Sequence, residues 1–85
     1  MIAFDYTVRD DLGIHARPAS IIARESKRFQ STITISKGEK SAVSKSVIGV
    51  MGLGAKKGDS VTVSVEGDDE QIAAEAMKQF LDKHL

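Results

Sequence analysis

Cysteine is absent from the 85-residue chain, which excludes disulfide staples, thiolate nucleophiles and Cys-ligated metals and fits a reducing compartment. Tryptophan is absent too and aromatics make up only 5 %, so the core must be assembled from Val, Ile, Ala, Leu and three Phe. Neither sign of charge predominates, since twelve Lys and Arg face twelve Asp and Glu. Without a net field, nothing draws the chain onto nucleic acid or an anionic membrane. No run approaches the roughly 20 apolar residues of a membrane helix, and the first fifteen residues mix charged with apolar side chains. A soluble, cytoplasmic protein without a nucleic-acid or membrane partner is expected. The length leaves little room for a second core, which predicts one domain over residues 1–85; with no sign of oligomerisation, a monomer is the expected state.

What is present alternates between two periods. Ile2, Phe4, Tyr6 and Val8 alternate with polar or small residues, the pattern of a strand with one buried face. After Asp10-Asp11-Leu12-Gly13, apolar Ala19, Ile22, Ala23 and Phe29 recur at helical spacing, which predicts an amphipathic helix from Ala16 to Phe29. Thr32 to Ser36 reads as a strand, Lys37-Gly38-Glu39-Lys40 as a turn and Ser41 to Ser44 as the return strand of a hairpin. Ser46 to Leu53 could be strand or helix. A short helix is favoured, with Ser46 as N-cap and Gly54 as its stop. Val61, Val63 and Val65 form a last strand. Gly67-Asp68-Asp69-Glu70 opens a final helix with capping charge, and Ala73, Ala76, Met77, Phe80 and Leu81 supply its buried stripe. The order is β-α-β-β-α-β-α, an α+β domain of two layers.

Pro18 is the only proline, and it stands where a helix tolerates one best, in a first turn whose N–H groups have no partner. That places His15 at the helix mouth, beside free backbone N–H groups and the positive end of the dipole, a combination that binds phosphate. Arg17 adds a guanidinium suited to two phosphate oxygens. Positive surroundings disfavour the imidazolium and leave a ring nitrogen free as a nucleophile. A lone histidine at a helix start is ordinarily a solvated cap; Gly13, Arg17 and Pro18 at this spacing reverse those odds. There is no P-loop glycine pattern and no acidic metal cluster, and the other histidine, His84, stands far off at the C-terminus. The pattern suits a carrier of phosphate more than a complete enzyme, with no cofactor and no metal.

The stretch Gly13-Ile14-His15-Ala16-Arg17-Pro18-Ala19 resembles the active-site motif of the HPr family, the histidine-containing phosphocarriers of the bacterial phosphoenolpyruvate-dependent sugar phosphotransferase system. The likeness covers the whole chain in length and element order. It implies an HPr-like open-faced sandwich, a four-stranded antiparallel sheet covered on one face by three helices. It further implies that His15 is phosphorylated through Nδ1, that Arg17 binds the phosphate, and that the group comes from enzyme I and goes to the A domain of a sugar-specific enzyme II. The segment around Ser46 resembles the family's regulatory serine motif. That likeness implies Ser46 as the target of an ATP-dependent HPr kinase/phosphorylase whose product binds a catabolite-control transcription factor.

A helix over this segment cannot bury Val47, Ile48, Val50, Met51 and Leu53 together. Val50 and Leu53 are expected to face inward, leaving Val47, Ile48 and Met51 as an exposed apolar patch of the kind that marks a partner site. With Ala16, Ser20, Arg24 and Lys27 of the first helix, these residues make a surface with an apolar centre and a basic rim, suited to the acidic partners the family implies. Two other assignments are open: a related regulator served by different partners, and a small interaction module in which nothing reaches His15.

Overall fold

The computed structural model describes residues 1–84, and its elements follow the expected order: β1 Ile2–Thr7, α1 Ala16–Ser26, β2 Thr32–Lys37, β3 Lys40–Val43, α2 Val47–Gly52, β4 Ser60–Glu66 and α3 Glu70–His84. The strands form one antiparallel sheet in the order β1-β4-β2-β3. Register explains why the alternating residues make a core. Phe4 pairs with Val63, which pairs with Ile35, and Ile2 pairs with Val65, which pairs with Ile33. Because strand side chains alternate between faces, both rows point to the same side. Ala19 and Ile22 from α1, Val50 from α2, and Ala73, Met77 and Leu81 from α3 close over that side. The three helices thus cover one face of the sheet and leave the other, with Ala3, Asp5 and Thr62, polar.

β4 leaves the sheet beside the start of β1, where the Met1 ammonium pairs with Glu70 at 3.0 Å. α3 then runs back along β1, and its far end is tied there by the Tyr6 hydroxyl, which donates to the Leu81 carbonyl at 2.9 Å. Fifteen residues at about 1.5 Å each carry the helix about 22 Å across the molecule.

Two expectations need correction. The first helix stops at Ser26 rather than Phe29. Lys27, Arg28 and Phe29 donate to carbonyls three residues back, and the Asp69 carboxylate then accepts from the backbone N–H groups of Gln30 and Ser31 at 3.0 and 2.9 Å. The chain is drawn down into β2 before another α-turn can form, although half-buried Phe29 still packs on the core. The second concerns the acidic opening of α3. Asp69 reaches across to another element, and only Glu70 caps locally, accepting from Gly67 N–H at 3.2 Å. Ala74 is buried although the apolar stripe omitted it, and Ala76 is only half-buried. Buried Ser26, Ser31 and Ser44 carried no sequence signal. The Ser44 hydroxyl donates to Ser26 Oγ at 2.6 Å, which donates to the Ile22 carbonyl at 2.8 Å, so the pair satisfies itself under α1.

Candidate functional site

Between β1 and α1 the chain makes a tight, well-anchored loop. Asp10 accepts from Leu12 N–H through Oδ1 and from Gly13 N–H through its carbonyl, both at 2.9 Å. Gly13 has φ +69, and a Cβ there would lie 2.3 Å from the Ala55 carbonyl oxygen, so only glycine fits both the backbone and the space. Ile14 follows with its side chain buried and its N–H donating to the same carbonyl at 3.0 Å. The loop is thereby clamped onto the segment between α2 and β4.

With Ile14 turned in, His15 turns out. It occupies the N-cap position of α1 in extended conformation, and its carbonyl accepts from Ala19 N–H at 3.0 Å. Its ring makes no cap hydrogen bond, so neither nitrogen is consumed in holding the helix. The side chain is 36 % exposed, and a carboxylate oxygen of Asp10 lies 3.9 Å from Nε2. The positive surroundings counted from sequence are therefore joined by a carboxylate. Ala16 and Arg17 contribute backbone N–H groups with no acceptor earlier in the helix, and Pro18, buried, has none to contribute. The Arg17 side chain is exposed and borders one concavity with His15, Asp10 and Leu12.

That concavity also corrects the placement of the second histidine. Lys83 and His84 line it, because α3 returns along β1 to the Asp10–Gly13 loop. Distance along the chain concealed a neighbour in space. The signal available was the length of α3, read together with its starting point beside β1. A larger groove between β1 and α3, lined by Ile2, Phe4, Ile72 and Lys78 among others, contains neither His15, Arg17 nor Ser46. Among the described residues, no group of three or more His, Cys, Asp or Glu is placed to hold a metal, and no helix is long and apolar enough to cross a membrane.

Ser46 is exposed and is the N-cap of α2: its Oγ accepts from Gly49 N–H at 3.0 Å. Gly54 ends the helix at φ +66, donating its N–H to the Met51 carbonyl. Val50 and Leu53 are buried as expected, and Ile48 is 84 % and Met51 40 % exposed. Val47 departs from the expected patch, being half-buried and packed against the core. It sits in the first turn, where Ser46 N–H bonds back to the Val43 carbonyl and holds the helix start against β3. Ala16, Ser20, Arg24 and Lys27 are all exposed, spaced to share one side of α1, with Lys27 at its C-cap. α1 and α2 pack against each other, so their exposed sides are neighbours.

The family model described as "PTS HPr component phosphorylation site" matches residues 2–83. The chain belongs to the HPr family. The HPr phosphocarrier of Lysinibacillus sphaericus is 49 % identical over 76 residues, covering 89 % of this chain and 86 % of that one. Among solved structures, HPr-C-His of Thermoanaerobacter tengcongensis superimposes with a TM-score of 0.92 at 33 % identity, covering 99 % of this chain and 94 % of that chain. Crh of Bacillus subtilis, described as a catabolite repression protein and as a dimer with a swapped domain, superimposes at 0.78 with 33 % identity, covering 100 % and 98 %. The open-faced sandwich expected from the sequence is thus the HPr fold, and phosphocarrier is the role its relatives bear.

Proposed function

We propose that the chain carries phosphoryl groups on His15, accepting them from enzyme I and passing them to the A domain of a sugar-specific enzyme II in phosphoenolpyruvate-driven sugar uptake. One observation carries this: a part-exposed imidazole, uncommitted to any cap bond, at the mouth of α1 in a concavity it shares with Arg17. Asp10 near Nε2 favours the proton on that nitrogen and repels an anion from it, which leaves the Nδ1 lone pair to attack. The N–P bond forms as the donor's bond to phosphorus breaks, and the bonding pair stays with the donor. The amides of Ala16 and Arg17 and the guanidinium offset the charge gathered on the phosphoryl oxygens. In the onward step the acceptor attacks and the imidazole leaves. The chain is a covalent intermediate between enzymes, working without a cofactor.

Ala16, Ser20, Arg24 and Lys27 with Ile48, Met51 and the edge of Val47 form the face both partners use. Ser46 is a regulatory site on that face. A phosphate on an exposed N-cap lies at the favourable end of the helix dipole and leaves the fold in place, so its effect falls on the partners. The enzyme is HPr kinase/phosphorylase and the reader a catabolite-control transcription factor; the Crh relative's description supports this regulatory side. The carrier acts as a cytoplasmic monomer.

Incubation with phosphoenolpyruvate and a bacterial enzyme I is expected to leave an acid-labile, alkali-stable phosphoryl group that His15→Ala abolishes. Absence of label would leave only an interaction module. A parallel incubation with ATP and HPr kinase/phosphorylase is expected to give acid-stable phosphate that Ser46→Ala removes, and no such phosphate would strike Ser46 from the site.

A further inference from the structure

We infer that Lys83 and His84, on the last turn of α3, form a second wall of the phosphoryl site and hold the oxygens of phosphorylated His15 from α3 while Arg17 holds them from α1. This rests on the carrier role proposed for His15. Both side chains border the concavity that contains His15 and Arg17. Helix ends ordinarily fray because their last carbonyls lack partners, but here two of those carbonyls are taken. Tyr6 donates to Leu81 at 2.9 Å, and Arg9 Nη2 donates to the Asp82 carbonyl and pairs with the Asp82 carboxylate at 3.8 Å. Buried Met77 and Leu81 fix the turn below, and the His84 ring lies 4.4 Å from Phe80, centroid to centroid. The end of α3 is therefore held in place beside the Asp10–Gly13 loop.

The charges agree with this assignment. Arg9, Arg28, Lys37 and Lys57 each face a carboxylate. Among the described residues the other Lys and Arg side chains are in no such pair, and of these Arg17 and Lys83 border the concavity that contains the proposed phosphoryl acceptor. Among the described residues, the titratable and charged groups bordering it are Asp10 and His15 from the loop, Arg17 from α1, and Lys83 and His84 from α3. Asp10 supplies one negative charge, whereas a phosphoryl group brings up to two more, which the Lys83 ammonium and an N–H of the His84 ring would meet at short range.

The test labels His15 with phosphoramidate, a small phosphoryl donor that needs no recognition by enzyme I, and follows the second ionisation of the phosphoryl group by phosphorus NMR. Lys83→Gln is expected to raise the phosphoryl group's proton affinity about twofold, the mark of one lost positive neighbour. His84→Gln shifts it in the same direction, and Lys83→Arg restores the wild-type curve. A packing role for the same residues would leave the phosphoryl titration unmoved. Both side chains are exposed, so the variants keep the fold, checked by circular dichroism. Superimposable titrations of the wild type and the Lys83→Gln/His84→Gln double variant would overturn this inference alone. A wild-type chain that takes no label would overturn the carrier role and this inference with it.

Discussion

Gly13 determines whether His15 can be presented at all. Its backbone is left-handed at φ +69 and its missing Cβ makes room for the Ala55 carbonyl, so alanine would meet two obstacles at once. The conformational one costs about 1–2 kcal/mol, and the steric one forces the loop away from Ala55 and breaks the bond from Ile14 N–H. Gly13→Ala is expected to lower unfolding stability by at least about 1–2 kcal/mol, measured by urea denaturation. It should also reduce the rate at which His15 accepts phosphoryl in the fraction still folded. Stability equal to the wild type would mean that the loop is not clamped as described. The places of Gly13, Pro18, His15 and Arg17 were legible in the sequence because they depend on adjacent backbone: a turn, a helix N-cap and a first helical turn. Asp10 beside Nε2 and the Ala55 carbonyl under Gly13 were not, since both are meetings of segments that only the folded sheet brings together.

At the scale of elements, Asp69, the residue before α3, ties down the Gln30–Ser31 segment that leads into β2. The Asp69 carboxyl lies below the ordinary carboxylate range, chiefly through the hydrogen bond from the Ser31 hydroxyl and then through the Gln30 and Ser31 amides. A carboxyl with a lowered folded pKa stabilises the fold fully above its unfolded value, near pH 4, and loses that contribution as pH falls through the folded one. Asp69→Ala is therefore expected to be less stable than the wild type at pH 7, with the gap narrowing below about pH 4, as followed by thermal unfolding across pH. A gap constant to pH 2 would show that the charge on Asp69 is not what holds Gln30 and Ser31. Periodicity found β1, β2, β4, α1 and α3, because each of these strands buries one face and each of these helices one stripe, whereas β3 was read from the turn before it and α2 from Ser46 and Gly54 at its ends. It overran α1 by three residues, since Phe29 keeps helical spacing although Asp69 has already captured the amides beyond it. The same carboxylate read as a local cap because helix starts are where such residues usually act.

For the whole molecule, zero net charge conceals a segregated surface. Arg17, Arg24 and Lys27 stand exposed along α1, next to the uncharged α2 with Ile48 and Met51 outward. Apart from Asp10 and Asp11 in the loop and Glu25, which Arg28 pairs, carboxylates stand elsewhere, with Asp68, Glu70 and Glu75 at the start of α3 and Asp5 on the open face of the sheet. A neutral protein has no long-range pull toward a partner, but a local basic face still orients an encounter within roughly 8–10 Å, the screening distance near physiological salt. Phosphoryl transfer from enzyme I, measured as a second-order rate, is therefore expected to slow as salt rises. Arg24→Glu/Lys27→Glu should reduce that rate about tenfold at low salt and flatten its salt dependence. Glu75→Lys, a single charge reversal of opposite sign on the first half of α3, away from that face, should alter neither. If Glu75→Lys changed the rate as strongly as the double variant changes it, the encounter would be governed by total charge, and the face built by α1 and α2 would lose its claim to be where partners dock.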